Sequence, residues 1–226
     1  MGETTNVLLI HGAWADGSCW AKVIPLLQAK GLNVIAAQIP LTSLDDDIAV
    51  TRRMLGMSAS PTVLVGHSYG GAVTTGAAVG AENVRSLVYI TAFGLDEGES
   101  LETLSKQGPP SAGSAAIGPD DNGFLWIDRE RFHAAFVADA TATEAAVMAA
   151  VQKPLAVAAF AGSSRMPAWK ALPSWYLHCT DDQMIPPPAQ AFMAERMGAT
   201  VRSVASSHAP FMAHPAEVVE IIVLAC

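Results

Sequence analysis

Thr62-Val63-Leu64-Val65-Gly66-His67-Ser68-Tyr69-Gly70-Gly71 joins a short apolar run to a glycine-rich turn. Thr62–Val65 reads as a strand, and the small residues Gly70–Val79 read as the helix that follows. Between them lies Gly-x-Ser-x-Gly, placed where a strand turns sharply into a helix. Such a turn forces the serine into strained backbone, so the residues two before and two after it must be small. It lifts the Ser68 hydroxyl above the carboxyl end of a sheet and aims a helix N-terminus at the same point, where an acyl-transfer reaction develops negative charge. Ser68 is therefore the expected nucleophile.

Upstream, Val7–Ile10 and Val34–Ala37 read as strands, with helices expected over Trp20–Lys30 and Asp45–Leu55. Gly31 closes the first helix, and the acidic first turn of the second suits its dipole. Downstream come a strand within Arg85–Thr91, another at Trp175–Cys179, a helix over Pro188–Met197, a last strand at Thr200–Val204 and a last helix over Pro215–Leu224. Strands alternating with helices predict an α/β fold with a mostly parallel sheet of six strands flanked by helices. The rhythm breaks between Asp96 and Leu172, a stretch far longer than an ordinary crossover. There Gln107–Gly123 reads as loop, Asp128 as the cap of a helix carrying Phe132 and Phe136, and Thr141 with Glu144 as a capping box for a helix through Val151. Residues 96–172 are expected to form a helical cap inserted in a single domain spanning 1–226.

A serine nucleophile needs a base, an acid that orients the base, and two donors for the oxyanion. With the order Ser, acid, His, the histidines beyond the last acid-bearing loop are His208 and His214. His208 follows the last strand, where the base belongs; His214 precedes Pro215 and reads as a cap or surface residue. Asp181 and Asp182 both follow the Trp175–Cys179 strand; Asp182 is chosen, with Asp96, after the fourth strand, as a competing site. The amide of Tyr69 is one expected oxyanion donor. The other comes from His11-Gly12-Ala13-Trp14 after the first strand, with Ala13 the best candidate. His11 reads as a structural histidine, and His67, His133 and His178 have no place in this scheme. Trp14, Trp126, Phe132 and Phe211 are candidate pocket residues, with Phe124, Leu125 and Phe136 as further aromatic or apolar choices.

The 226 residues are 51% hydrophobic, against a usual apolar share of about 45–50%, so a large core is expected and disorder is not. A net charge of −8 disfavours nucleic acid and anionic membranes as partners. Three widely spaced cysteines, Cys19, Cys179 and Cys226, give neither a disulfide framework nor a zinc motif. No metal spacing and no dinucleotide fingerprint occurs, so no cofactor is expected. Six residues before the first strand are too few for a signal peptide, and no apolar run reaches the roughly 18 residues of a membrane span. A cytoplasmic protein is the expectation.

Taken together, His11-Gly12-Ala13-Trp14 with Trp20, the Gly66–Gly71 turn, Asp182 followed by Pro186, and Ser207-His208-Ala209-Pro210 before His214-Pro215 resemble bacterial relatives of the plant methylesterase and hydroxynitrile lyase group of the α/β-hydrolase fold. The similarity runs along nearly the whole chain and is weakest in Leu101–Gly123. It implies a cap over a mostly apolar pocket, small ester substrates, no cofactor and, since dimers are frequent in the group, a homodimer. In that group the aspartate followed by x-x-x-Pro is the catalytic acid, which favours Asp182. The lyase members carry a threonine after the first-loop histidine and a lysine after the catalytic histidine. Gly12 and Ala209 stand there instead, so the resemblance points to the esterase branch, with a carbon–carbon lyase or a non-catalytic small-molecule receptor as the alternatives.

Overall fold

A computed structural model describes residues 5–226. Its strands, in chain order, are β1 (Asn6–Ile10), β2 (Asn33–Ala36), β3 (Thr62–Ser68), β4 (Val84–Ala92), β5 (Ile117–Pro119), β6 (Phe124–Ile127), β7 (Leu155–Ala156), β8 (Ser174–Cys179) and β9 (Thr200–Val204). Six of them form one sheet in the order β2-β1-β3-β4-β8-β9. Every pairing in it is parallel. Parallel strands need crossovers that cover the faces, and the sequence supplies apolar residues for both faces: Val7, Leu9, Ile10, Leu64, Val65, Leu87, Val88 and Ile90 are all fully buried. The chain leaves β1 toward β2 and then returns to β3 on the other side. Ligands of open α/β sheets bind at such a reversal, outside the carboxyl ends of the strands.

Several local expectations hold and several shift. Ser43 caps the helix Leu44–Leu55, its hydroxyl accepting from the Asp46 amide, with Asp45, Asp46 and Asp47 in the first turn. Thr141 and Glu144 form the expected capping box over Ala142–Val151. Trp20–Lys30 is not one helix but a 3-10 turn at Gly17–Trp20 and a short helix at Ile24–Gln28. Pro25 has no N–H to donate back into the preceding turn, so a continuous helix cannot run through it. Asp128 caps no helix: its carboxylate accepts from the Glu130 amide in a tight turn, and the helix Phe132–Phe136 begins at Arg131 without a side-chain cap. His214 likewise makes no capping bond from its ring; its nitrogens lie 3.8 Å from Asp139 and 3.6 Å from Glu217.

The largest difference lies in 96–172. Alongside the helices Leu101–Ser105, Phe132–Phe136, Ala142–Val151 and Val157–Phe160, this segment holds a three-stranded antiparallel sheet, β5-β6-β7. The stretch read as loop, Gln107–Gly123, contains a 3-10 turn at Ala112–Ala116 and the strand β5. Asp120 makes the hairpin, its carboxylate accepting from the amides of Asn122 and Phe124, while Gly123 takes a left-handed φ of 80°. The segment is thus mixed rather than helical.

The turn after β3 depends on backbone contact. A Cβ added at Gly70 would lie 2.6 Å from the carbonyl oxygens of both Ile10 and His11, backbone atoms rather than the end of a flexible side chain. Gly70→Ala is therefore expected to cost about 1–3 kcal/mol or more of stability by overpacking. Gly108→Ala, in open space, should cost little. Chemical denaturation of the two variants checks the contrast.

Candidate active site

Ser68 closes β3 and opens the helix Tyr69–Ala77 with no residue between them. Its φ of 52° and ψ of −123° are left-handed, a conformation that costs a non-glycine residue on the order of 1–3 kcal/mol. Gly66 and Gly70 permit the turn: a Cβ on Gly66 would stand 2.5 Å from the Gly70 carbonyl oxygen. Tyr69 is the first helical residue, so its N–H has no partner within the helix.

Ser68 meets two residues from the other side of the sheet. His208, in the loop after β9, has Nε2 2.8 Å from Ser68 Oγ. Its Nδ1 lies 2.7 Å from Asp182 Oδ2, in the loop after β8. All three are buried, with exposures of 4% for Ser68, 0% for His208 and 3% for Asp182. Asp182 is thus the carboxylate that geometry joins to His208. Asp181 is exposed, and its carboxylate accepts only from the adjacent Thr180 hydroxyl. Asp96 pairs with Lys170 at 2.5 Å, and this hydrogen-bonded ammonium holds its carboxyl below the usual range.

Asp182 is held by more than the histidine. Oδ1 accepts from the amides of Met184 at 2.7 Å and Ile185 at 3.0 Å. Oδ2, the oxygen facing His208, also accepts from Gln190 Nε2 at 3.0 Å and from the Thr91 hydroxyl. Thr91 sits at the end of β4 with a φ of 38°, a rare value for a β-branched residue. The next residue is clamped by Tyr176, whose hydroxyl accepts from the Ala92 amide and donates to the Ala92 carbonyl. Neither Thr91 nor Gln190 was expected at this site. Thr91 lies in a plain strand and Gln190 in a plain helix, and no motif marks either.

His67 also gains a role that the sequence did not suggest. It is fully buried, and its Nε2–H donates to the carbonyl of His208 at 2.8 Å. Burial, and the nearby His208, push its pKa well below the ordinary imidazole value, so it is neutral. His11 is structural, as expected: Nδ1–H donates to the Gly12 carbonyl, and Nε2 accepts from the Ile39 amide. Burial lowers its pKa to about 4.

The loop after β1 runs beside Ser68. A Cβ on Gly12 would lie 2.8 Å from Ser68 Cβ and 2.9 Å from His67 Nδ1, so only glycine fits there as the loop stands. Among the described residues the Ala13 amide makes no hydrogen bond. Trp14, with φ 58°, is anchored through its amide to the Lys153 carbonyl and through its indole N–H to the Leu125 carbonyl. Tyr69 is fixed at its far end, where its hydroxyl donates to the buried Asp47 at 2.5 Å. Burial pushes Asp47 up to about 6, against the lowering effect of the Tyr69 and Leu41 hydrogen bonds.

The aromatic candidates separate. Phe136 meets the His208 ring edge-on, with centroids 5.0 Å apart, and also packs near His67 and Trp14. Phe132 stacks behind Phe136 at 5.1 Å. Phe211 packs against His67 and Trp20. Trp126 turns its indole N–H to Asp120 within its own hairpin. A mostly apolar groove of about 270 Å³ opens beside Trp14 and includes Val147, Met148, Val151 and Met212. Among the described residues there is no cluster of side chains able to hold a metal ion, and no helix is long and apolar enough to cross a membrane.

Known proteins resemble this chain in sequence and in fold. A pyrethroid hydrolase from Sphingobium wenxiniae is 28% identical over 96% of this chain and 86% of its own length. A carbendazim hydrolyzing esterase from a Nocardioides species is 36% identical over half of this chain and 52% of its own length. The solved structure of a pyrethroid hydrolase from Sphingobium faniae superposes with a TM-score of 0.84 at 26% identity, covering 97% of this chain and 96% of that one. Residues 7–221 match the alpha/beta hydrolase family, and with the parallel sheet, the turn at Ser68 and these relatives the chain belongs to that family.

Proposed function

We propose that this chain is a serine hydrolase of small carboxylic esters, with Ser68 as nucleophile, His208 as base and Asp182 as the acid that orients it. The supporting observation is the buried line from Ser68 Oγ to His208 Nε2 at 2.8 Å, and from His208 Nδ1 to Asp182 Oδ2 at 2.7 Å. As Ser68 Oγ attacks the ester carbonyl carbon, His208 Nε2 takes its proton, and the carbonyl oxygen becomes an oxyanion facing the amides of Ala13 and Tyr69. The tetrahedral species collapses, the bond to the alkoxy oxygen breaks, and His208 returns the proton to the departing alcohol. Water then repeats the sequence on the acyl-enzyme and releases the acid. Asp182 keeps Nδ1 protonated and stabilises the imidazolium in both halves.

Residues 96–172 act as a cap in this reading. Phe136 faces the imidazole, and the Leu125 carbonyl holds Trp14 from the same segment. The ester hydrolases among the relatives support the reaction class. Lyase chemistry finds no support: Gly12 leaves no space for a side chain, and Ala209 carries no charge. The mechanism calls on no cofactor. The three cysteines form no disulfide, which fits a reducing compartment such as the cytoplasm.

Ser68→Ala is expected to keep the fold and lose p-nitrophenyl acetate hydrolysis by about 10⁴-fold or more, together with labelling by a fluorophosphonate probe. Comparable turnover in the folded variant would remove Ser68 from the chemistry. Asp182→Asn should cost on the order of 10⁴ in kcat by leaving His208 in the wrong tautomer, whereas Asp181→Asn should stay within about threefold of the wild type. Steady-state kinetics of the pair distinguishes the two carboxylates, and a reversal of the two effects would overturn the assignment.

A further inference from the structure

The loop that carries His208 has no regular secondary structure between β9 and Pro210, so its shape rests on specific bonds. On the core side the Ser206 carbonyl accepts from the Asp181 amide at 3.2 Å, and the His208 carbonyl accepts from His67. On the other side stand two buried hydroxyls and an amide, and all three reach one carboxylate. Asp139 Oδ2 accepts from Ser206 Oγ at 2.7 Å and from the Ser207 amide at 2.9 Å, and Oδ1 accepts from Ser207 Oγ at 2.5 Å. Asp139 lies between the helices Phe132–Phe136 and Ala142–Val151, in the segment inserted before β8.

Three charge-assisted bonds tie the two residues before His208 to this one carboxylate. Ser206 and Ser207 are buried; Asp139 is exposed along its backbone, but its carboxylate turns inward, leaving the side chain 24% exposed. Burial alone would disfavour the charged carboxylate, but the hydrogen bonds from Ser207 and Ser206 outweigh it and hold Asp139 below the usual carboxylate range. The clasp is thus built around an anion at neutral pH, with His214 Nε2 3.8 Å from Oδ2. The same segment presses Phe136 against the imidazole.

We propose that Asp139 is a positioning residue: by clasping Ser206 and Ser207 it holds the His208 ring within hydrogen-bond reach of Ser68 and Asp182 at once, so the inserted segment supports the base as well as covering it. This rests on the ester-hydrolase reading for its catalytic consequence, but not for its geometry. A purely structural Asp139 would tie the segment down and leave the ring where it is.

The test compares Asp139→Asn, Ser207→Ala and the double variant by p-nitrophenyl acetate kinetics, melting temperature and the low-field proton NMR signal of the His208 Nδ1–H bonded to Asp182. Asp139→Asn is expected to lower kcat about tenfold or more, since small displacements of reacting groups are costly, while KM stays within about twofold. Ser207→Ala should act in the same direction but less, and the double variant should be no worse than Asp139→Asn alone. The low-field signal should shift or broaden in each. If Asp139→Asn does not fold, Ser207→Ala, which removes one of the three bonds, decides by the same readouts. A lower melting temperature with unchanged kcat and an unchanged signal would overturn the proposal. If the wild type hydrolyses no ester, the functional reading fails, and the signal still decides whether Asp139 positions His208.

Discussion

The left-handed backbone at Ser68 is the constraint around which the rest is arranged. β3 passes into its helix at that one residue, and the crossing is possible because Gly66 and Gly70 bring backbone to backbone where a Cβ would collide. The close approach of Gly70 to Ile10 and His11 fixes the end of β1, and with it the loop through Gly12 and Ala13. The Ser68 carbonyl accepts from the Phe93 amide, which ties the end of β4 to the same turn. The loops after β1 and β4 therefore start from strand ends tied to the serine turn, which gives a site the rigidity that positioned chemistry requires.

Electrostatics adds a second layer. Two histidines, His11 and His67, are buried where desolvation keeps them neutral; His11 bonds backbone through both ring nitrogens and His67 through Nε2. Of these three buried imidazoles, His208 is the one hydrogen-bonded to a carboxylate. The Asp182 carboxylate accepts from five donors, including Thr91, Gln190 and two amides, so its oxygens are fixed in direction before the histidine is considered. Such saturation orients a charge without exposing it.

Much of this was legible in the sequence because it depends on short-range rules. The apolar runs of β1, β3 and β4 and the glycine spacing around Ser68 are local signals that placed the strands and the turn, as the Thr141–Glu144 capping box placed the start of its helix. The choice of Asp182 over Asp181 drew its support from a resemblance, since adjacent carboxylates look alike until one is seen turned inward. The roles of Thr91, Gln190 and His67 were not legible, because each arises from a contact between distant strand ends and leaves no periodic trace. The hairpin of β5 and β6 was missed because a three-residue strand among Gly, Pro and Asp shows no alternation. Trp126 was drawn toward the pocket by its chemistry alone, and its partner, Asp120, lies only six residues away.

Three non-glycine residues with left-handed backbone, Trp14, Ser68 and Thr91, converge on one end of the sheet. A natural domain stands only about 5–15 kcal/mol above its unfolded ensemble, and each such residue withholds a sizeable fraction of that margin. The surplus must come from the apolar interior of the parallel sheet, where Val7, Leu9, Leu64, Val88 and Ile90 are sealed from water. Sequence drift in that interior therefore reaches the serine without touching it. A core weakened by a few methylene groups would let the strained end relax first, and reactivity would fade in a molecule that still looked folded.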